Sequence, residues 1–251
     1  MNFVNPPVES PQDVTHMTFY SQILSHDLGY NIYLPPGYED SGERYPAAYH
    51  IHGWKGNESS EIWPLEKVYR NRRAITVFVN AVSTKEEYFD ALLQIESIII
   101  EELIPHIDGH YRTDPTGENR MLSGFSMGGN MAFYYAVKHS ELFGSVTAYA
   151  GTYHHLYHKE YRTVGVEPER AMELYEAMLR EKWYLEENNI LSLVRQNAEE
   201  IRAKLRIAIH IGTADILLCD NEILHLYLDS LNIPHEYRKF QGIGHDLEKI
   251  L

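Results

Sequence analysis

The sequence predicts an α/β protein with a mostly parallel central sheet flanked by helices. Short, nearly continuous apolar runs recur along the chain, amphipathic segments with helical spacing separate them, and glycine-containing loops follow several of the runs. Strands that alternate with helices pair in parallel through crossover connections, and strands covered on both faces carry continuous apolar runs. At 251 residues the chain is long enough for one such domain with a well-buried core.

The first half of the chain supplies four predicted strands and two helices. After an irregular lead-in over residues 1–16, MTFYSQIL and LGYNIYLP are β-rich and separated by a polar turn, which indicates an antiparallel pair. YPAAYHIHG and AITVFVNA are predicted buried strands, with a loop and helix between them from Asn57 to Arg73. DALLQIESIIIEELIPHIDGHY has helical spacing and is predicted to end near Pro105.

The second half continues the alternation with one interruption. RMLSGF is a predicted strand followed by a helix, and LFGSVTAYAG is the next buried strand. Residues 152–204 are charged and helix-rich, with few strand signals. RIAIHIGTAD then restores the sheet, EILHLYLDSLNI is a predicted helix, and HEYRKFQGIGHD is a strand followed by a loop. We therefore predict a single domain over 1–251, with a helical cap or insertion at 152–204 between late strands.

Composition excludes several classes of partner. The formal net charge of −14 argues against nucleic acid, whose phosphates require a basic face, and against anionic membrane surfaces. The single cysteine, Cys219, excludes an intrachain disulfide. No apolar run approaches the roughly 18 residues of a membrane helix, and the start MNFVNPPVES has no features of a signal peptide. These observations predict a cytoplasmic protein; the oligomeric state is left open, with a homodimer among the alternatives.

Ser126 lies between Gly124 and Gly128 in the stretch RMLSGFSMGGNMAFYYAVKH. A sharp turn from strand to helix leaves little room for Cβ atoms beside its apex, and glycine fits there without strain. The apex side chain then projects at the amino end of a helix, where backbone amides are unpaired. The G-x-S-x-G motif produces this geometry for a serine nucleophile. The alternative is a glycine-rich turn without chemistry.

A serine hydroxyl needs a neighbouring base, and the base needs an orienting acid. His245 follows the last predicted strand, and Asp215 follows the strand before it. Reactive loops gather at the carboxyl ends of parallel strands, and the chain order Ser126, Asp215, His245 is that of an α/β-hydrolase. Asp220 and Asp246 are alternatives for the acid, and a surface loop histidine is the alternative interpretation of His245.

An oxyanion hole requires two backbone N–H groups. The amide of Met127, directly after the nucleophile, is one predicted donor. The second is predicted in the loop IHGWKGNES, where the amide of Trp54 is favoured and that of Lys55 is the alternative. His52 in the same loop is predicted to have a structural role.

Several segments together resemble a known family. They are YLPPGYEDSGERYPAAYHIHGWKGNESSEIW, IIEELIPHIDGHYRT, GFSMGGNMAFYYAVKHSELFGSVTAYAG and GIGHD. They resemble the "putative esterase" family of α/β-hydrolases, which includes feruloyl esterases, S-formylglutathione hydrolase and related esterase D proteins, enterochelin esterases and mycolyltransferases. The resemblance extends from Thr18 to the C-terminus, is weakest in 152–204, and is strongest toward the feruloyl and acetyl-xylan esterases.

The resemblance implies a serine carboxylic-ester hydrolase that needs no cofactor. Ser126 would be the nucleophile, His245 the base and Asp215 the acid, with Trp54 and Met127 as oxyanion donors. Short or aromatic acyl esters of carbohydrate, or other small-molecule esters, are the implied substrates. Transfer of the acyl group to an alcohol or sugar, and a non-catalytic binding protein of the same fold, are the alternatives.

Further residues are predicted to contact the substrate. Trp54 and Lys55 are bulkier than the residues that many relatives carry in this loop, so they are expected to narrow the pocket or place a cation at its mouth. Tyr153 and Trp183 are predicted pocket residues. His154, His155 and His158 in GTYHHLYHKEY have short spacing, but we predict no metal site there because the segment offers few other ligands.

Overall fold

The computed structural model describes residues 2–153, 164–181 and 189–251. Eight strands form one sheet in the order β1-β2-β4-β3-β5-β6-β7-β8. The strands are β1 Val14–Ser21, β2 His26–Tyr33, β3 Ala47–Ile51, β4 Ile75–Val79, β5 Arg120–Phe125, β6 Ser145–Tyr149, β7 Arg206–Gly212 and β8 His235–Phe240. The strands β3 to β8 each lie within a segment that the sequence predicts to be extended, whereas β1 begins at Val14, in the predicted lead-in, and β2 begins at His26, in the predicted turn.

The sheet is antiparallel only at its first edge. β1 pairs antiparallel with β2, and β2 pairs antiparallel with β4. The pairs from β4 through β3, β5, β6 and β7 to β8 are all parallel. β3 and β4 are buried at every position, as their continuous apolar runs require for strands covered on both faces. The mostly parallel sheet of an α/β-hydrolase is therefore confirmed.

Helices cover both faces of the sheet. The α-helices of the described residues are α1 Glu66–Arg70, α2 Tyr88–Ser97, α3 Ile104–His110, α4 Met127–Lys138, α5 Ala171–Glu181, α6 Ile190–Gln196, α7 Ala198–Lys204 and α8 Leu218–Ser230. α4 packs on β3, β5 and β6, and its residues from Met127 to Val137 are all buried. This burial fixes the amino end of α4 against the centre of the sheet.

The predicted helix end near Pro105 is wrong. A π-helical segment, Ile98–Leu103, joins α2 to α3, and Pro105 lies in the first turn of α3. A proline inside a helix removes the regular hydrogen bond of its own N–H, and at the end of a π-helical segment that regular pattern is already interrupted. The change of hydrogen-bonding pattern at the π-helical segment therefore lets the chain remain helical through the proline.

The segment predicted as a cap or insertion, 152–204, is described in part. α5 packs on α8, and α6 packs against α4 and α8. The N–H of Gly165 donates to the carbonyl of Ile216, beside the carboxyl end of β7. Residues 154–163 and 182–188 lie outside the described residues, so the cap remains a prediction.

None of the helices in the part of the chain that the structure describes combines the length and the apolar character needed to cross a bilayer.

Candidate active site

Ser126 occupies a strained turn between β5 and α4. Its backbone has φ 55° and ψ −115°, in a region that side chains other than glycine rarely adopt. A Cβ on Gly124 would lie 2.2 Å from the carbonyl oxygen of Gly128, and one on Gly128 would lie 1.9 Å from that of Ile51. The backbone is therefore too closely packed on both sides of Ser126 for any residue but glycine.

His245 and Asp215 are joined by a hydrogen bond at the same edge of the sheet. Nδ1–H of His245 donates to Oδ2 of Asp215 over 2.8 Å, and the other oxygen of Asp215 accepts from the N–H of Leu217 over 2.9 Å. The Asp215 side chain is fully buried, and the His245 ring stacks on Phe125 with 4.6 Å between ring centroids. The bond to Nδ1 leaves Nε2 as the basic nitrogen of the imidazole.

The loops that carry these two residues are tied together. The N–H of Ala214 donates to the carbonyl of Ile243 over 2.9 Å, and the N–H of Gly242 donates to Oγ1 of Thr213 over 2.8 Å. Because both loops are anchored to each other and not only to their own strands, the distance between acid and base is fixed by backbone contacts.

The two competing carboxylates have other surroundings. Asp246 pairs with Lys249 over 2.7 Å, and the hydrogen bond from Lys249 lowers the pKa of Asp246. Asp220 is fully buried in the first turn of α8. The structure therefore brings Asp215, rather than either alternative, to the ring of His245.

Ser126 and His245 line one surface cavity of about 390 Å³. In the part of the chain that the structure describes, the side-chain hydrogen bond of His245 runs to Asp215 and not to Ser126. The bond between nucleophile and base is often long in unliganded sites and shortens when substrate binds. The cavity is bounded on its other side by the loop after β3, which holds Trp54 and Lys55.

The loop after β3 forms a tight turn beside Ser126. The N–H of Gly56 donates to the carbonyl of Gly53 over 3.0 Å, and Lys55 has φ 63°, a second strained residue in the site. The N–H of Gly53 donates to Glu61 and is therefore unavailable to a substrate. The amides of Trp54 and Met127 therefore remain the predicted oxyanion donors.

Glu61 connects this turn to the central sheet. Its Oε1 accepts from the N–H of Gly53 over 2.9 Å, and its Oε2 lies 2.5 Å from Nε2 of His50. Nδ1 of His50 in turn contacts Oγ of Ser123 over 2.9 Å. Sequence reasoning missed Glu61, because it lies in a loop without a recognisable motif; its only signal is its closeness in sequence to the turn.

His52 has the structural role that the sequence predicts. Its Nε2 accepts from the N–H of Ala81 over 3.1 Å, so Nδ1 carries the proton and donates to the carbonyl of Gly53 over 2.8 Å. Burial holds the pKa of His52 below its ordinary value of 6.5. The neutral ring therefore links the turn after β3 to the residues that follow β4.

A second, smaller cavity of about 140 Å³ lies on the other side of the turn. Trp54, Lys55 and Met127 line it, together with Tyr88 and Met131. The Trp54 side chain is largely exposed, since 61% of the residue's surface is accessible. The two predicted contact residues of the turn therefore lie between the two cavities.

The other predicted contact residues are placed differently. Tyr153 has no exposed surface and packs edge-to-face on Phe133, 5.8 Å between ring centroids, so it belongs to the core and its predicted place in a pocket wall is wrong. The sequence could not show which side of the loop after β6 this ring would take. Trp183 lies outside the described residues, as do His154, His155 and His158.

A known protein family matches most of this chain. The sequence profile of the family described as "Putative esterase" matches residues 21–248. This chain belongs to that family. The resemblance noted in the sequence is thereby confirmed over residues 21–248.

Solved structures of esterases share the fold. A ferulic acid esterase aligns with a TM-score of 0.71 at 23% identity, covering 94% of this chain and 92% of that one. A ferulic acid esterase from Anaeromyces mucronatus, in complex with ferulic acid, aligns with a TM-score of 0.68 at 24% identity, covering 99% and 90%.

Curated relatives match part of the chain. An "Endo-1,4-beta-xylanase/feruloyl esterase" from Xylanibacter ruminicola is 31% identical over 53% of this chain and 20% of its own length. A Mycobacterium tuberculosis esterase is 26% identical over 57% of this chain and 33% of its own length. The chain thus corresponds to a minor part of each of these longer relatives.

Proposed function

We propose that this esterase-family enzyme is a serine carboxylic-ester hydrolase that works through an acyl-enzyme. The observation that carries the proposal is the hydrogen bond from Nδ1 of His245 to the buried Asp215, because the His245 ring lines the same cavity as Ser126. The carboxylate fixes the imidazole so that Nε2 can accept a proton, which is the relation between acid and base in a serine hydrolase.

The reaction has two steps. Ser126 Oγ attacks the ester carbonyl while His245 takes its proton, and the amides of Trp54 and Met127 donate to the oxyanion. His245 then gives the proton to the departing alcohol. Water, deprotonated by His245, attacks the acyl-enzyme, and Ser126 is regenerated as the acid leaves. The amino end of α4, directed at the same point, adds positive potential.

The cavities support short or aromatic acyl esters as substrates. Met127 and Met131, with Ile95 and Ala91, give the smaller cavity an apolar lining suited to an acyl group. The larger cavity opens to solvent beside His245 and Lys55, where the alcohol, such as a sugar, would leave. One relative carries the name feruloyl esterase, which supports acetylated or feruloylated carbohydrate as the substrate.

A panel of esters tests the proposal. Pure protein is assayed for kcat/KM on methyl ferulate, acetylated xylo-oligosaccharide and p-nitrophenyl esters of increasing acyl length, with Ser126→Ala as the control. We expect turnover of short or hydroxycinnamoyl esters that the control lacks. Preference for long acyl chains would contradict the substrate class, and absence of Ser126-dependent turnover on every ester would contradict the function. The cytoplasmic location remains a prediction from the sequence, and the oligomeric state is left open, with a homodimer among the alternatives.

A further inference from the structure

His225, Asp229 and His235 form a cluster at the edge of the sheet far from Ser126. His225 and Asp229 lie one turn apart near the carboxyl end of α8, and His235 is the first residue of β8. One ring nitrogen from each histidine and one carboxylate oxygen lie within 4.8 Å of one another. Nδ1 of His225 is 2.7 Å from Nε2 of His235, and Asp229 oxygens are 3.6 Å and 4.0 Å from Nε2 of His225 and of His235.

The two rings are held in place by their surroundings. Nδ1–H of His235 donates to the carbonyl of Ile233 over 2.8 Å, so Nε2 of this buried ring carries no proton of its own and accepts from Nδ1–H of His225. The His225 ring stacks on Tyr237 with 4.3 Å between ring centroids. A histidine that ligates a metal characteristically donates its other N–H to a carbonyl or carboxylate, which is the state of His235 here.

We propose that His225, Asp229 and His235 bind one zinc ion, with water completing its coordination. Imidazole nitrogens and a carboxylate oxygen are ligands that zinc prefers. Tetrahedral zinc at about 2.0–2.1 Å from each ligand separates its donor atoms by about 3.3 Å. One donor atom from each of the three residues lies within 4.8 Å of the others, so a small movement of the exposed Asp229 side chain closes the difference. On binding, the ion replaces the proton that the two rings share, and that proton passes to solvent.

The ion can reach the cluster from solvent. The Asp229 side chain is 61% exposed, and His235 also lines a wide surface cavity of about 1060 Å³. The formal net charge of −14 favours cation binding at exposed ligands. Because β8 is an edge strand that pairs only with β7 in the described sheet, a zinc ion here would clamp the edge of the sheet to α8.

The cluster is independent of the ester-cleaving residues. His235 begins β8 and His245 follows its other end, so about 17 Å of strand separates the two sites. We therefore expect zinc to raise the melting temperature by about 5–10 °C at a hundredfold excess over Kd. We expect EDTA treatment to leave esterase activity unchanged.

Calorimetric titration of EDTA-treated protein with zinc chloride tests the site. The wild type is expected to bind one zinc, and His225→Gln and His235→Gln are each expected to weaken binding by at least about a hundredfold, since loss of a supporting residue alone costs 10–100-fold. Asp229→Asn, at an exposed position that the fold tolerates, is expected to weaken binding by at least about tenfold. Cobalt in place of zinc should give the visible absorption of a tetrahedral ion, absent in the same variants.

His110→Gln is the matched control, because His106 and His110 form another neighbouring pair, 4.2 Å between ring centroids, on α3. This variant is expected to bind zinc as the wild type does. The proposal is overturned if the wild type binds no zinc, if the three variants bind it unchanged, or if His110→Gln abolishes binding. Unchanged binding in the three variants would mean that zinc binds elsewhere, and His154, His155 and His158 would then be the next candidate ligands.

Discussion

Asp215 differs from the neighbouring acidic residues in the contacts of its side chain. Its carboxylate is fully buried, with one oxygen on His245 and the other on the N–H of Leu217. Asp246 adjoins His245 in sequence but pairs with Lys249. Position after a strand was enough to predict that Asp215 lies beside His245, because the carboxyl ends of parallel strands meet at one edge.

Asp215→Asn is expected to lower kcat by at least about 10²-fold, because the imidazole loses the group that fixes its tautomer and stabilises its charge. Asp246→Asn and Asp220→Asn should stay within about tenfold of the wild type. Steady-state kinetics on one ester, with melting temperatures to verify folding, compares the three variants. A larger loss of kcat in Asp246→Asn than in Asp215→Asn would assign the role of the acid to Asp246.

We expect Glu61 to act on the reaction through the turn that carries Trp54. Glu61→Ala removes both the acceptor for the N–H of Gly53 and the partner of His50, and an error of about 1 Å in a positioned donor costs about 10²-fold. We expect kcat to fall by roughly 10–100-fold with a smaller change in KM. Glu61→Gln keeps one acceptor oxygen and should recover most of kcat. Equal kcat values for Glu61→Ala and wild type would contradict a positioning role for Glu61.

At the scale of elements, sequence patterns were sufficient wherever burial alone decides the structure. Strands covered on both faces carry apolar runs, so β3 to β7 were predictable, and the glycines around Ser126 indicated the elbow. Glu61 was not predictable, because its partners become neighbours only after the turn has folded onto the sheet. The buried position of Tyr153 and the helix continuing through Pro105 depend on tertiary packing and on a π-helical segment that local spacing does not reveal.

The elbow tolerates no side chain at Gly128. Gly128→Ala is expected to lower the free energy of unfolding by at least about 1–3 kcal/mol, because the new Cβ meets the carbonyl of Ile51 at 1.9 Å. Gly109→Ala on α3 is the matched control, since a Cβ there has no neighbour within 4 Å, and it should raise stability by about 0.5–1 kcal/mol. Urea unfolding measures both. If Gly128→Ala is as stable as the wild type, the described packing of the elbow is wrong.

At the scale of the whole molecule, buried histidines link stability to pH. Burial lowers the pKa of both His52 and His210 from the ordinary value of 6.5. The unfolded chain therefore binds more protons than the folded chain just below pH 6.5, and stability present above that pH is lost as the pH falls. Carboxylates contribute little between pH 7.5 and 5.5, because their ordinary pKa values lie near 4.

Urea unfolding at 25 °C should thus give a lower free energy of unfolding at pH 5.5 than at pH 7.5. His210→Gln should reduce this difference, because one of the buried rings with a lowered pKa is gone, whereas His26→Gln at an exposed position should not. A free energy of unfolding that rises on acidification would mean that these rings are charged in the folded protein.

Covalent labelling directly tests whether Ser126 is the nucleophile of an ester hydrolase. The protein is incubated with a fluorophosphonate probe, its intact mass is measured, and the modified residue is found by peptide sequencing in a mass spectrometer. We expect one adduct, on Ser126, with loss of esterase activity in proportion to labelling and no adduct in a folded Ser126→Ala variant. Labelling at another residue, or turnover by Ser126→Ala equal to that of the wild type, would contradict this role of Ser126.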